Sequence, residues 1–163
     1  MNAAPKILET PSSRTVTVGD LMSRRVVTID PEAPLSAARD IFERHRFHHI
    51  LVTEGTRLVG IMSDRDLLKS LSPFLDTMSE RTVDVETLKR KVHTVMQRKV
   101  ITTPPEATLE AASARIVKHG ISSLPVIDAQ GTLVGIITWK DILRWLVHAA
   151  QGPAGLSLAP APR

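Results

Sequence analysis

Ser63 and Asp66 stand three residues apart at the end of "GIMSDRD" (60–66), and Thr138 and Asp141 stand three apart at the end of "GIITWKD" (135–141). A hydroxyl followed three places later by a carboxylate, just after an apolar run, has the spacing of a capping box. The hydroxyl accepts an orphan amide of the first helical turn, and the carboxylate reaches back to the amide of the hydroxyl residue. The same arrangement leaves other amides and the positive end of the helix dipole facing outward, which suits a phosphate. An ionised aspartate beside it accepts hydrogen bonds only, and can take two of them from ribose 2'- and 3'-hydroxyls. Capping and binding are compatible, so the motif alone leaves both open.

Other chemistry is poorly supported. His45, His48 and His49 could face Asp64 or Asp66 as metal ligands, but a helix-to-strand change falls among them, so no metal site is expected. No nucleophile-elbow pattern surrounds Ser63, and a serine used as a cap has its oxygen occupied, so no catalytic residue is expected. Gly60 and Gly135 lack the clustered glycines and the Lys-Ser/Thr of a phosphate loop; they are read as places where backbone or ligand comes close. The chain has no cysteine, which excludes disulfides and thiolate metal sites.

A net charge of +4 permits polyanion binding without locating it. The densest basic run, "LKRK" at 88–91, reads as a solvated helix face, and aromatics at 3% are too few for an array of base-stacking platforms. Nucleic-acid binding is therefore a rival reading, not the expectation. Residues 1–20 hold no continuous apolar stretch, and Lys140, Asp141 and Arg144 interrupt the apolar run near the C-terminus. The expectation is a cytoplasmic protein without a signal peptide or membrane span.

The two motifs belong to a longer repeat. "DLMSRRVVTIDPEAPLSAA" (20–38) lies over "TVMQRKVITTPPEATLEAA" (94–112) without a gap, and "LVGIMSDRDLL" lies over "LVGIITWKDIL". Each copy reads as a short strand (26–29; 100–102), a proline-bearing turn, and a helix with apolar residues at helical spacing. In the first copy these are Leu35, Ala38, Ile41 and Phe42; in the second, Leu109, Ala112, Ile116 and Val117. Two strands joined through Gly55 or Gly131 and a closing helix follow. The expected division is an N-terminal extension (1–15), a first repeat (16–71), a linker (72–90), a second repeat (91–147) and a disordered Pro/Gly/Ala-rich tail (148–163). Neither repeat is large enough for a robust core alone, so the two should pack together.

A strand–helix–strand–strand–helix unit, repeated with glycine, two apolar residues, Ser/Thr, two residues and Asp at the end of its third strand, resembles the CBS domain. A tandem pair of these is a Bateman module. The resemblance covers most of the chain and implies an α/β (α+β) fold with two CBS-type repeats packed as a pseudo-two-fold pair. It implies a homodimer, with four domains in a flat disc, and a stand-alone regulatory sensor instead of an enzyme. The ligands implied are AMP, ADP or ATP, with S-adenosylmethionine as a further candidate. The output would pass to an effector protein that the sequence does not identify. The alternative reading is a dimerisation module whose clefts bind nothing.

Residue by residue, the resemblance places Ser63 and Thr138 against phosphate or ribose, and Asp66 and Asp141 against ribose. It assigns each adenine pocket to the other copy: Met96, Ile101 and Thr102 for the first cleft, Met22, Val27 and Thr28 for the second. His48 and His49 stand where the second copy has Ser122 and Ser123, a place where some members put basic side chains against phosphate. Arg65 lies within the first motif and Lys140 within the second. The first cleft is therefore expected to prefer the ligand with more phosphate charge, more strongly below neutral pH as the histidines gain protons. Trp139 is read as a surface residue, and Trp145, with Ile142 and Leu146, as part of an interface between repeats or protomers.

Overall fold

The computed structural model describes residues 15–45, 47–79 and 81–150. The expected N-terminal extension, apart from Thr15, and the tail from 151 onward lie outside the described residues. Residues 148–150, assigned to the tail from sequence, complete the last helix.

A one-turn helix α1 (Val18–Leu21) opens the first repeat, ahead of its first strand. Strand β1 (Thr28–Ile29) runs parallel to β2 (His49–Glu54), and β2 pairs antiparallel with β3 (Arg57–Ser63), giving the order β1-β2-β3. Two parallel strands need a crossover, and α2 (Leu35–Arg44) supplies it. Helix α3 (Asp64–Ser70) closes the unit. Between the repeats, α4 (Thr82–Glu86) interrupts the linker. In the second repeat α5 (Leu109–His119) leads to β4 (Ser123–Ile127), which pairs antiparallel with β5 (Leu133–Thr138), and α6 (Trp139–Ala150) ends the described chain.

The first strands are shorter than their apolar runs suggest. Of 26–29 only Thr28 and Ile29 join the ladder, and 100–102 form no strand; a single parallel bridge joins Thr103 to Val126. Thr103 N donates to Pro125 O at 3.1 Å and Ile127 N to Thr103 O at 3.0 Å. The next bond back along the ladder would run from residue 125 N to Ile101 O, and Pro125 has no N–H to donate, so 100–102 stay unpaired.

The segments before each first strand are exchanged. Val18 and Met22 pack into the core of the second repeat with Leu109, Ala112, Leu124, Val126 and Ile137. Reciprocally, Val92 and Met96 pack into the core of the first, with Leu35, Ala38, Ile50, Val52 and Met62. The backbone follows the same pseudo-two-fold relation. Val18 N donates to Ala107 O at 2.8 Å and Val92 N to Ala33 O at 2.9 Å, positions that correspond in the repeat alignment. Ser23 and Ile136 exchange both backbone hydrogen bonds at 2.9 and 3.0 Å, and Gln97 and Ile61 do so at 2.8 and 3.0 Å. Each repeat thus borrows a buried turn and an edge pairing from the other, which fixes their relative placement and the clefts between them.

This exchange accounts for the repeated glycines. A β-carbon on Gly60 would lie 2.5 Å from Met96 Sδ and 3.2 Å from Gln97 O; one on Gly135 would lie 2.7 Å from Met22 Sδ and 2.9 Å from Ser23 O. What comes close at both is the backbone and methionine of the opposite repeat.

The linker is fastened through a buried carboxylate. Ser72 Oγ donates to Asp84 Oδ1 at 2.6 Å and Arg81 N to Asp84 Oδ2 at 2.9 Å. The serine bond first, and the amide second, hold the Asp84 carboxyl below its ordinary range. One expectation about packing changes: Val117, read as a core position of α5, is 80% exposed. Ile142 and Trp145 pack in the core that holds Val18 and Met22 of the other repeat, an interface between repeats, and Leu146 is about half exposed.

Candidate functional site

Both hydroxyl–carboxylate pairs form closed capping boxes. At the start of α3, Ser63 Oγ accepts from Asp66 N at 3.1 Å and donates to Asp66 Oδ2 at 2.7 Å, while Ser63 N donates to the same carboxylate oxygen at 3.0 Å. At the start of α6, Thr138 Oγ1 accepts from Asp141 N at 3.4 Å and donates to Asp141 Oδ2 at 2.6 Å, with Thr138 N donating at 2.9 Å. The second carboxylate oxygens differ. Asp141 Oδ1 receives Arg144 Nη1 at 3.3 Å, whereas Asp66 Oδ1 has no hydrogen-bond partner among the described residues.

Each motif opens onto a cleft between the repeats. The first, of about 1060 Å³, is walled by Ser63, Arg65, Asp66, His48 and His49 from the first repeat. Ile101 from the second repeat faces them, and so do Ser122, Ser123, Trp139 and Lys140. The second cleft, of about 1030 Å³, is walled by Met22, Val27, Ile136 and His49. It continues into a smaller space of about 350 Å³ that holds Thr138, Asp141, Lys140, Ser122 and Ser123. Three residues expected in the adenine pockets are not on the cleft walls. Met96 is only 8% exposed and sits in the first repeat's core. Thr102 and Thr28 are absent from both walls: Thr102 turns its carbonyl to Arg115, and Thr28 pairs with Leu51.

The electrostatics rest only in part on the residues the sequence singled out: Arg65 and Lys140 carry charge there, the histidines less than expected. His48 Nδ1 lies 2.7 Å from Asp64 Oδ2, so the protein already supplies its counter-charge. Burial pushes the His49 imidazole below its ordinary value, with His48 adding to the effect and Asp64 and Asp66 opposing it. Burial also acts on Asp64, raising it, but the His48 bond, the Arg65 amide and the charges of both imidazoles outweigh that and hold its carboxyl low. The uncompensated charge comes from Arg65, Lys99 and Lys140, which line the first cleft and make no ion pair among the described residues. Around the second cleft, Arg44 is paired with Asp40 and Arg144 with Asp141, while Arg24, turned to Gly19 O, Arg25 and Lys140 make no ion pair among the described residues.

Lys99, Gln97, His119, Arg24 and Arg25 line the clefts and were not singled out from the sequence. A signal for some of them was present. "SRRVV" lies over "QRKVI", so a basic pair precedes the first strand in both copies. Trp139, read as a surface residue, is 44% exposed and forms part of the first cleft's wall, with Lys140 Nζ 5.9 Å from its ring centroid.

Comparison with known proteins agrees with this fold. The chain is 35% identical over 129 residues to homoserine O-acetyltransferase of Methanococcoides burtonii, covering 78% of this chain and 23% of that enzyme. The chain therefore spans about a quarter of the length of the first curated relatives it matches. Among solved structures, CBSX2 in complex with AMP superposes with a TM-score of 0.68 at 26% identity, covering 82% of this chain and 98% of that one. The CBS domain pair of protein MJ0100, in complex with 5-methylthioadenosine and S-adenosyl-L-methionine, gives a TM-score of 0.66 at 25% identity, with coverage of 82% and 97%. The family model of the CBS domain matches residues 18–73 and again 92–148. With two repeats matched, two exchanged cores and two clefts ending in the same capping motif, the chain belongs to the CBS domain family.

Proposed function

We propose that the protein is a regulatory module that binds adenosine-containing nucleotides between its two CBS repeats and signals to a partner protein through their relative orientation. The observation that carries this reading is at Asp66. Its Oδ2 closes the cap of α3, and its Oδ1 is left to accept from a ligand diol in a cleft where Arg65, Lys99 and Lys140 have no carboxylate partner. That combination suits a ribose phosphate: an anionic acceptor for hydroxyls, cations and first-turn amides for phosphate. CBSX2 holds AMP and the MJ0100 pair holds S-adenosyl-L-methionine, which supports the adenosine class for this chain. AMP, ADP and ATP are the proposed ligands, and S-adenosylmethionine is the further candidate. The first cleft is the primary site, because the corresponding oxygen of Asp141 is engaged by Arg144.

The module regulates; it does not catalyse. Ser63 Oγ and Thr138 Oγ1 each donate to a carboxylate and accept an amide, which commits them to the caps. The helices also present apolar surface for a second copy of the chain: Leu68 is 70% exposed on α3, and Leu143, Leu146 and Val147 on α6 are about half exposed. A homodimer through these faces is part of the proposal. Because each repeat's core holds a turn of the other, ligand contacts spanning a cleft would bias one packing of the pair over another, which is what a partner would read.

One competing reading has an observation behind it. Both capping boxes are satisfied without any ligand, as a dimerisation module with unused clefts would require. A thermal-shift panel separates the two. AMP, ADP, ATP and S-adenosylmethionine are expected to raise the melting temperature, while ribose-free phosphate compounds at equal concentration do so far less. No shift from any adenosine compound, in protein freed of carried-over nucleotide, would favour the dimerisation module.

A further inference from the structure

The two clefts are not separate compartments. His48, His49, Ser122, Ser123, Trp139 and Lys140 line both the first cleft and the space of about 350 Å³ that holds Thr138 and Asp141. Among the described residues, His49 alone lines that space together with the first cleft and the second. It stands as a partition where the ends of the two sites meet.

The motif cations break the pseudo-symmetry at this partition. Arg65, inside the first motif, lines the first cleft only; its counterpart Lys140, inside the second motif, lines both sides. The repeat puts Trp139 where the first copy has Asp64. Asp64 is tied to His48, whereas Trp139 offers a ring face and leaves the Lys140 ammonium without an ion pair among the described residues. A lysine is a compact charge on a flexible stem with three donors, and can reach a phosphate on either side. One ammonium cannot neutralise phosphate chains on both sides at once.

Resting on the nucleotide reading above, we infer that Lys140 is a phosphate-binding residue shared by the two clefts, so that a polyphosphate nucleotide in one cleft weakens the binding of a second in the other. A monophosphate, whose single phosphate stays at its own helix cap, makes little demand on the shared residue. For ATP the second site is expected to be weaker than the first by about five- to 150-fold, the ordinary span of a coupling free energy. For AMP the two sites should be nearly independent.

The test uses calorimetry with ATP on variants that keep one cleft each. Asp141→Ala leaves the first cleft, Asp66→Ala leaves the second, and Lys140→Gln is added to both. Asp141→Asn and Asp66→Asn, which keep an acceptor oxygen at the cap, repeat each arm in case truncation harms folding. The inference predicts that Lys140→Gln weakens ATP at least about tenfold in both backgrounds, as loss of a charged hydrogen bond does. A loss in one background only, in neither, or ATP binding confined to one cleft of the unmutated protein would overturn the sharing while leaving the nucleotide reading intact. Silence of the unmutated protein toward AMP and ATP alike would remove the nucleotide reading itself.

Discussion

The Met22 sulfur occupies the space that a side chain on Gly135 would need: a β-carbon there would lie 2.7 Å from Met22 Sδ and 2.9 Å from the carbonyl oxygen of Ser23. At the pseudo-equivalent Gly60 the nearest group is Met96 Sδ at 2.5 Å, and the backbone oxygen of Gln97 is at 3.2 Å. A methionine side chain can move aside; a backbone that exchanges hydrogen bonds with the neighbouring strand cannot do so cheaply. Both alanine substitutions are therefore expected to destabilise by about 1–3 kcal/mol, with Gly135→Ala the worse of the two. Urea denaturation checks the order, and equal or reversed losses would contradict the exchanged packing.

The Asp66 and Asp141 carboxylates lead to an asymmetric prediction for binding. Asp66→Ala removes an oxygen free to accept from ribose, while Asp141→Ala removes one already held by Arg144. Asp66→Ala is expected to weaken AMP at least about tenfold, the scale of a charge-assisted hydrogen bond, and Asp141→Ala to weaken the tighter site little. Each variant should also lose about 1 kcal/mol of stability through its cap. Equilibrium dialysis with labelled AMP reports the first effect, and denaturation the second.

His49 should make affinity depend on pH. Its folded-state value lies below the ordinary 6.5, so as the pH falls through that value the unfolded chain takes up the proton first. Stability from this group is therefore fully present above about pH 6.5 and is lost between there and the lower folded value. A bound phosphate favours the imidazolium and raises the value, so affinity for ATP should climb as the pH falls across the interval between the bound and free values. The sequence placed this window just below neutrality; burial moves the free-protein end to more acid pH. His49→Gln should flatten the part of the pH profile that phosphate titration does not produce, and parallel profiles for the two proteins would sink this role.

Asp84 ties the linker to the end of the first repeat through Ser72 and the Arg81 amide. Because its carboxyl is held below the ordinary value, its contribution is present above about pH 4 and is lost as the pH falls through the lowered value. Asp84→Asn should lower the melting temperature at pH 7, by an amount that shrinks as the pH falls through the lowered value. A penalty that does not shrink with falling pH would mean that the ionised carboxylate is not what holds the linker.

The exposed leucines supply a prediction about assembly. Leu143→Glu on α6 and Leu68→Glu on α3 place a charge on faces where apolar side chains are about half exposed or more. Both should shift the protein from dimer to monomer in light scattering without loss of helical signal. A monomer before mutation would remove the homodimer from the proposal, and a dimer unaffected by either change would place its interface elsewhere.

The repeat made much of the architecture legible from sequence. Two aligned copies were enough to infer the strand–helix–strand–strand–helix order and to see Ser63–Asp66 and Thr138–Asp141 as caps; that the caps face clefts came from the resemblance to the CBS domain. The exchange of Val18 and Met22 for Val92 and Met96 was not legible, because an apolar segment in front of each strand satisfies the pattern whichever core receives it. Pro125 on the neighbouring strand kept 100–102 from pairing, an effect of a residue distant in sequence that apolar content concealed. His48 and His49 were given the phosphate charge because they differ between the copies. The unpaired cations Lys99 and Arg25 went unnoticed because both copies carry a basic residue there. Whether a charge is free depends on partners distant in sequence, such as Asp64 for His48, and those appear only once the chain is folded.

The central claim is most directly tested by isothermal titration calorimetry of AMP into the unmutated protein and into Asp66→Ala, with the fold of each verified. The account predicts saturable binding that the substitution weakens at least about tenfold. Binding that Asp66→Ala leaves unchanged, or no heat from AMP, ADP, ATP or S-adenosylmethionine with the unmutated protein, would contradict it.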